Sequence, residues 1–126
     1  MKEQKEMEAL LQRAACGDAY AMYSVGVHYG RGTNGFQEDY TLSRKWYKQA
    51  HAHEAGSIEG TAAYGFHLWV GKGGDKCLWK GAMYLGIAAA QGSDYAAYNL
   101  GMGLAGGKFG MNVDEKEAIR WLQQAV

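Results

Sequence analysis

Apolar residues recur three and four positions apart along most of this chain, and glycines break the pattern at regular intervals. In the stretch from Ala19 to Tyr29 this spacing puts alanine, methionine, tyrosine and valine on one face of a helix. Gly30 and Gly32 predict its end, because glycine enters the left-handed cap conformation at little cost. Asp39 is a good N-cap for a second helix through Leu42, Trp46 and Ala50, which ends before Gly56. The two helices make an antiparallel pair. Upstream, Lys5 to Cys16 reads as the second helix of a preceding half-unit, and its charged residues from Lys2 to Glu8 suit a polar cap.

The pattern repeats. Sliding the chain against itself by 75 positions sets residues 13–51 against 88–126, with 13 of 39 positions identical. Chance gives about three in a chain of ordinary composition. Tyr20/Tyr95, Ala21/Ala96, Tyr23/Tyr98, Gly26/Gly101, Gly32/Gly107, Asp39/Asp114 and Trp46/Trp121 carry the match. The middle third aligns through Gly56, Gly65 and Gly71, so the unit is 36–39 residues long. Periods of this size mark stacked supersecondary units. The predicted organisation is one repeat domain over 1–126: a half-unit at 1–18, units at 19–56 and 57–92, and a truncated unit at 93–126. Gly26, Gly65 and Gly101 fall inside the first helix of each unit, where glycine costs ~1 kcal/mol against alanine. Their common register predicts close helix–helix approach.

These anchors resemble the Sel-one-like repeat, a relative of the tetratricopeptide repeat. Unit one carries Ala21, Tyr23, Val25-Gly26, Tyr29, Gly32, Asp39, Trp46-Tyr47, Ala50 and Gly56, and unit three carries Ala96, Tyr98, Leu100-Gly101, Gly107, Asp114, Ala118, Trp121 and Ala125. Unit two is degenerate, with Gly60 in place of the alanine, Ala62 of the tyrosine and Tyr84 of the tryptophan. The expected fold class is all-α, a short α-solenoid of antiparallel helix pairs with about seven helices. The resemblance implies a right-handed superhelix with a concave face, binding to another protein, and no chemistry of its own.

Composition narrows the partner. Lysine and arginine number 13 and so do aspartate and glutamate, a balance that argues against nucleic-acid or polybasic membrane binding. Hydrophobic residues at 48% exclude disorder. The charged N-terminus shows no signal peptide, and the longest mostly apolar stretch, Ala82 to Ala90, is half a membrane span. A cytoplasmic protein is expected. Cys16 and Cys77 are far apart and read as buried free thiols rather than a disulfide framework.

Several motifs look like chemistry and are better explained by the repeat. Gly30-Arg31-Gly32-Thr33-Asn34-Gly35 and the stretch Gly101 to Gly106 match a dinucleotide fingerprint, but a helix rather than a strand precedes the glycines. His28 and His67 share a repeat position and lack further metal ligands, while His51 and His53 read as a solvated helix end. Catalytic residues, cofactors and metals are expected to be none.

The concave face carries the sharper expectation. In related helix-pair repeats the residues flanking the Leu-Gly anchor of the first helix line the groove. By register these are Tyr20, Tyr23, Val27 and Arg31 in unit one, Glu59, Ala62, Phe66 and Trp69 in unit two, and Tyr95, Tyr98 and Met102 in unit three. Tyrosine, tryptophan and arginine dominate binding hot spots because they bury much area and keep a polar handle. For Tyr23 and Tyr98 the competing reading is family packing, and for Phe66 and Trp69 it is the core. The expected function is a non-enzymatic adaptor or scaffold that holds a partner protein or peptide in this groove. The alternatives are a structural segment of a longer scaffold, or a neutralising or regulatory partner of a toxin or secretion protein. Because Val126 falls inside the last second helix, a homo-oligomer formed through that helix is a further expectation.

Overall fold

The computed structural model describes residues 2–52 and 57–105, and over these it is helical, with no strand. The helices are α1 (Lys2–Ala15), α2 (Ala19–Arg31), α3 (Tyr40–Ala52), α4 (Ile58–Val70), α5 (Leu78–Ala90) and α6 (Asp94–Ala105). The seventh helix expected after Asp114, the closing glycine Gly56 and His53 lie outside the described residues.

Helix starts follow short polar side chains. Asp18 accepts from the Ala21 amide at 3.1 Å and Asp39 from Leu42 at 3.0 Å. Ser57 accepts from Gly60 at 2.9 Å and Ser93 from Ala96 at 3.1 Å. Each bond satisfies an amide that the first turn leaves open. Helix ends are equally regular. Gly32 and Gly71 stand at φ 67° and 80°, and their amides return to the carbonyls of His28 and His67. The expected stop at Gly30 is two residues early. Gly30 is still helical, and a β-carbon there would lie 3.1 Å from Ser43 Oγ, so it serves packing rather than termination.

Close approach explains the mid-helix glycines. A β-carbon at Gly26 would lie 2.6 Å from the Tyr47 ring, and one at Gly65 would meet the Leu85 amide and the Gly81 carbonyl at 3.0–3.1 Å. Gly81 reciprocates: a β-carbon there would lie 2.9 Å from the Gly65 carbonyl and 2.8 Å from the Trp69 amide nitrogen. Ser43 and Gly81 occupy the same place in successive units, and both are small. In unit one the serine is buried and donates to the Gly26 carbonyl at 2.6 Å. In unit two a second glycine lets α4 and α5 touch along their backbones.

The core is a column rather than a ball. Leu10, Ala14, Val25 and Ala50 fill its first part, Tyr47, Tyr64 and Leu68 its middle, and Leu85, Ala88, Ala96 and Leu100 its far end. Successive helices pack on each other, while α2 touches α4 and α4 touches α6. The first helices of the units thus form one inner layer. This is a solenoid of helical repeats, in which each pair buries its apolar face only by stacking on the next.

Candidate functional site

The inner layer of α2, α4 and α6 holds a hollow of about 370 Å³. Its walls include Tyr23, Val27 and Arg31 of α2, Glu59, Ala62 and Phe66 of α4, and Tyr95 of α6. Each of these was expected there from register alone. A second hollow, next along the layer, is lined by Phe66, Trp69, Tyr98 and Met102. Phe66 separates the two, half-buried, with its ring 5.9 Å from Tyr95 and 5.8 Å from Trp69. Tyr20 is in neither wall. It is 61% exposed at the rim, its ring 5.8 Å from Tyr23.

For Trp69 the structure favours the core reading. It is only 7% exposed and belongs to the core around Leu85, Ala89 and Leu100, while still bordering the second hollow. An indole at an inner-layer position becomes core because the glycine at 81 lets α5 come close beneath it. Tyr98 moves the other way: it is exposed, whereas Tyr23 is half-buried against Tyr47 at 5.8 Å. The packing reading therefore suits Tyr23 and not Tyr98.

Register missed part of the floor. Tyr47 comes from α3, reaching the hollow past Gly26, and His67 sits one residue beyond Phe66 on α4. His67 is 8% exposed, meets the Tyr47 ring edge-on at 5.0 Å, and its Nδ1 is buried without a hydrogen-bond partner. Burial, reinforced by Lys72 and Arg44, lowers its pKa to about 4, so the ring is neutral at pH 7. Its counterpart His28 is half-buried, stacks on Phe36 at 5.5 Å and bonds Thr33 Oγ1 at 2.8 Å. His51 is also not a solvated end. It is half-buried, bonds Thr61 Oγ1 at 2.9 Å and stacks near Tyr64 and Tyr84.

Three phenols converge on the hollow. Tyr95 is pushed up to about 12 by desolvation and by the nearby hydroxyls of Tyr47 and Tyr23. The residue as a whole is nevertheless 52% exposed. Burial also raises Tyr23, with Glu59 adding to the rise and Arg31 opposing it. Burial raises Tyr47, against a hydrogen bond from Ser43. All three are protonated at neutral pH and can donate hydrogen bonds.

Arg44, on α3, reaches across to the next unit. Its guanidinium donates to the carbonyls of His67, Lys72 and Asp75 at 2.8–2.9 Å, tying unit one to the loop of unit two. Lys72, at the tip of that loop, places its ammonium 5.1 Å from the Tyr40 ring centre.

Elsewhere the surface offers less. α5 exposes Trp79, Met83 and Ile87 at four-residue intervals, a stripe that the sequence displays and that register reasoning passed over. Cys16 is exposed and Cys77 half-buried, so the thiols are free but not both buried as expected. Among the described residues no cluster of three histidine, cysteine or carboxylate side chains could hold a metal ion. Among them, too, no helix is long and apolar enough to cross a membrane. At Gly30–Gly35 the preceding element is α2, not a strand, and the positive φ at Gly32 caps that helix.

An inner layer of repeated helices around an aromatic concavity defines a helical-repeat solenoid. The chain belongs to the Sel1 repeat family, which matches residues 19–50 and 94–126. The unmatched middle unit is the one whose anchors are replaced, yet it folds into the same helix pair. The structure is similar to a Sel1 repeat protein from Oxalobacter formigenes, with TM-score 0.87, 26% identity, 97% of this chain covered and 49% of the other. It is also similar to c5321, a protective antigen of uropathogenic Escherichia coli with an SLR fold, with TM-score 0.82, 27% identity, 94% of this chain covered and 24% of the other. The chain thus spans about half and about a quarter of these proteins' lengths. No curated protein matches it. Sel1 repeats are in general non-catalytic protein-interaction modules.

Proposed function

We infer that this chain is an interaction module that receives a segment of a partner protein in the hollow of its inner layer. One observation carries the reading. Tyr23, Phe66 and Tyr95, from three different repeat units, meet around a single concavity. Aromatic side chains gathered in a partly desolvated pocket are the usual energetic centre of a protein interface. Tyr95 is half-exposed, so its position is not explained by the core. Affinity capture from the source cell's lysate tests this, comparing the wild type with Tyr23→Ser/Tyr95→Ser and with the outer-face control Trp79→Ser. A partner held by wild type and control but released by the groove variant is the expected result. A partner released by Trp79→Ser instead moves the site to the outer face of α5.

A second reading is that the chain serves as one stretch of a longer scaffold. It is favoured by the shares of the two similar structures that the chain covers, 49% and 24%. Mass measurement over a range of concentrations distinguishes the two, since a scaffold segment self-associates and a discrete module stays monomeric.

A further inference from the structure

The hollow is electrically lopsided. Arg31, at the end of α2, and Lys72, just past the end of α4, are exposed cations on its wall. Neither is paired with a carboxylate among the described residues. Glu59, the carboxylate of the wall, lies in the first turn of α4, about 16 Å along the helix from Val70 at 1.5 Å per residue. Tyr23 feels both signs, Glu59 in one direction and Arg31 in the other. Beneath the basic end lies His67, more than nine-tenths buried, its Nδ1 unpartnered, held neutral partly by the fields of Lys72 and Arg44. Arg44 is committed to three carbonyls, which leaves Arg31, and Lys72 over the Tyr40 ring, as the wall's cations not bonded to carbonyl oxygens. Unpaired like charges in a concavity with low-dielectric walls focus their field and attract the opposite charge.

The geometry points to an acidic peptide as the occupant: a segment of the partner whose aspartate or glutamate side chain settles between Arg31 and Lys72 while a neighbouring apolar side chain packs against Phe66 and Tyr95. This rests on the reading that the groove receives a partner segment, and adds its chemistry. A carboxylate there gains charge-assisted bonds from two cations and meets the hydroxyl donors of Tyr23 and Tyr95. Glu59 sets the polarity of the segment, because a second acid at that end would be repelled. It also disfavours a nucleic-acid strand, whose phosphates run the whole length.

The test is selection from a display library of random peptides on the whole chain, followed by affinity measurement on the enriched sequences. Three variants are compared with the wild type: Arg31→Glu/Lys72→Glu, Arg31→Gln/Lys72→Gln, and Tyr95→Ser, each checked for native helicity. Enriched peptides should pair an acidic residue with an aromatic or branched apolar one. Charge reversal should weaken them at least tenfold, neutralisation should fall between, and raised salt should weaken binding to the wild type but not to the two charge variants. Enriched peptides without an acidic preference, or affinities that charge reversal moves less than twofold, overturn the acidic occupant. If Tyr95→Ser still abolishes that binding, the groove reading stands by itself. Enrichment that ignores both Tyr95 and the cations overturns both. A single-stranded oligonucleotide that displaces the peptides at equal charge concentration overturns the peptide in favour of nucleic acid.

Discussion

The ring of Tyr47 lies against the bare α-carbon of Gly26, so closely that a β-carbon there would sit 2.6 Å from both Cδ1 and Cε1. Tyr47 is buried, and the Ser43 carbonyl closes the other side at 3.2 Å, so the ring has little room to yield. Gly26→Ala should therefore destabilise the fold by about 1–2 kcal/mol, overpacking outweighing the gain in helix propensity. Gly86 is the contrast, since only Leu100 Cδ2 lies near, at 3.8 Å. Gly86→Ala should stabilise by about 0.5–1 kcal/mol. Urea denaturation of both variants checks the pair. Equal shifts of one sign would show that close approach is not what selects glycine at position 26.

Arg44 makes three bonds to carbonyl oxygens, two in the α4–α5 connection (Lys72 and Asp75) and one in the last turn of α4 (His67). Its removal should cost about 2 kcal/mol and free the loop at residues 71–77. Arg44→Lys should not restore the loss, because a point ammonium cannot serve carbonyls in a fork. Hydrogen exchange at the Gly71, Lys72 and Cys77 amides reads the loop directly. Unchanged protection there in Arg44→Ala would remove the clasp from the argument.

His67 makes stability depend on pH. Its folded pKa of about 4 lies below the ordinary 6.5, so the unfolded chain binds a proton first as pH falls. Stability is full above about pH 6.5, declines between 6.5 and 4, and is flat in this group below that. The contribution lost between pH 7.5 and 5 is about 2 kcal/mol. His28 and His51 shift in the same direction and add to the slope. Denaturation at the two pH values should show a smaller difference in His67→Gln than in wild type. An identical difference would mean that His67 is not the group being protonated.

Trp69 and Tyr95 should separate stability from binding. Trp69→Ala empties a core position and should cost about 3–5 kcal/mol. Tyr95→Ser removes a half-exposed ring and should cost less than about 1 kcal/mol. A partner lost with Tyr95→Ser at unchanged thermal midpoint locates binding in the hollow. A midpoint that drops as far as for Trp69→Ala would make Tyr95 a packing residue.

The helical architecture was legible because it rests on local rules. Apolar spacing set the helices, Asp39 set a start, Gly32 set a stop, and the shared positions of Gly26 and Gly65 announced close contact before any neighbour was known. Repetition then multiplied each weak signal, which is why the inner-layer positions of Tyr23, Phe66 and Tyr95 could be read by register. Depth could not. Trp69 and Tyr98 were both expected on the inner layer, at different register positions, and one is buried while the other is open. Trp69 is buried where α4 and α5 meet backbone to backbone at Gly65 and Gly81, on two different helices. The floor of the hollow likewise needed three dimensions: Tyr47 arrives from the second helix of its unit and packs on His67, whose charge is suppressed by burial and by Lys72 and the distant Arg44. Periodicity along a chain assigns a residue to a face. Whether that face meets water, a partner or another helix depends on how near the next backbone comes, and that distance is set by pairs of residues no local pattern joins.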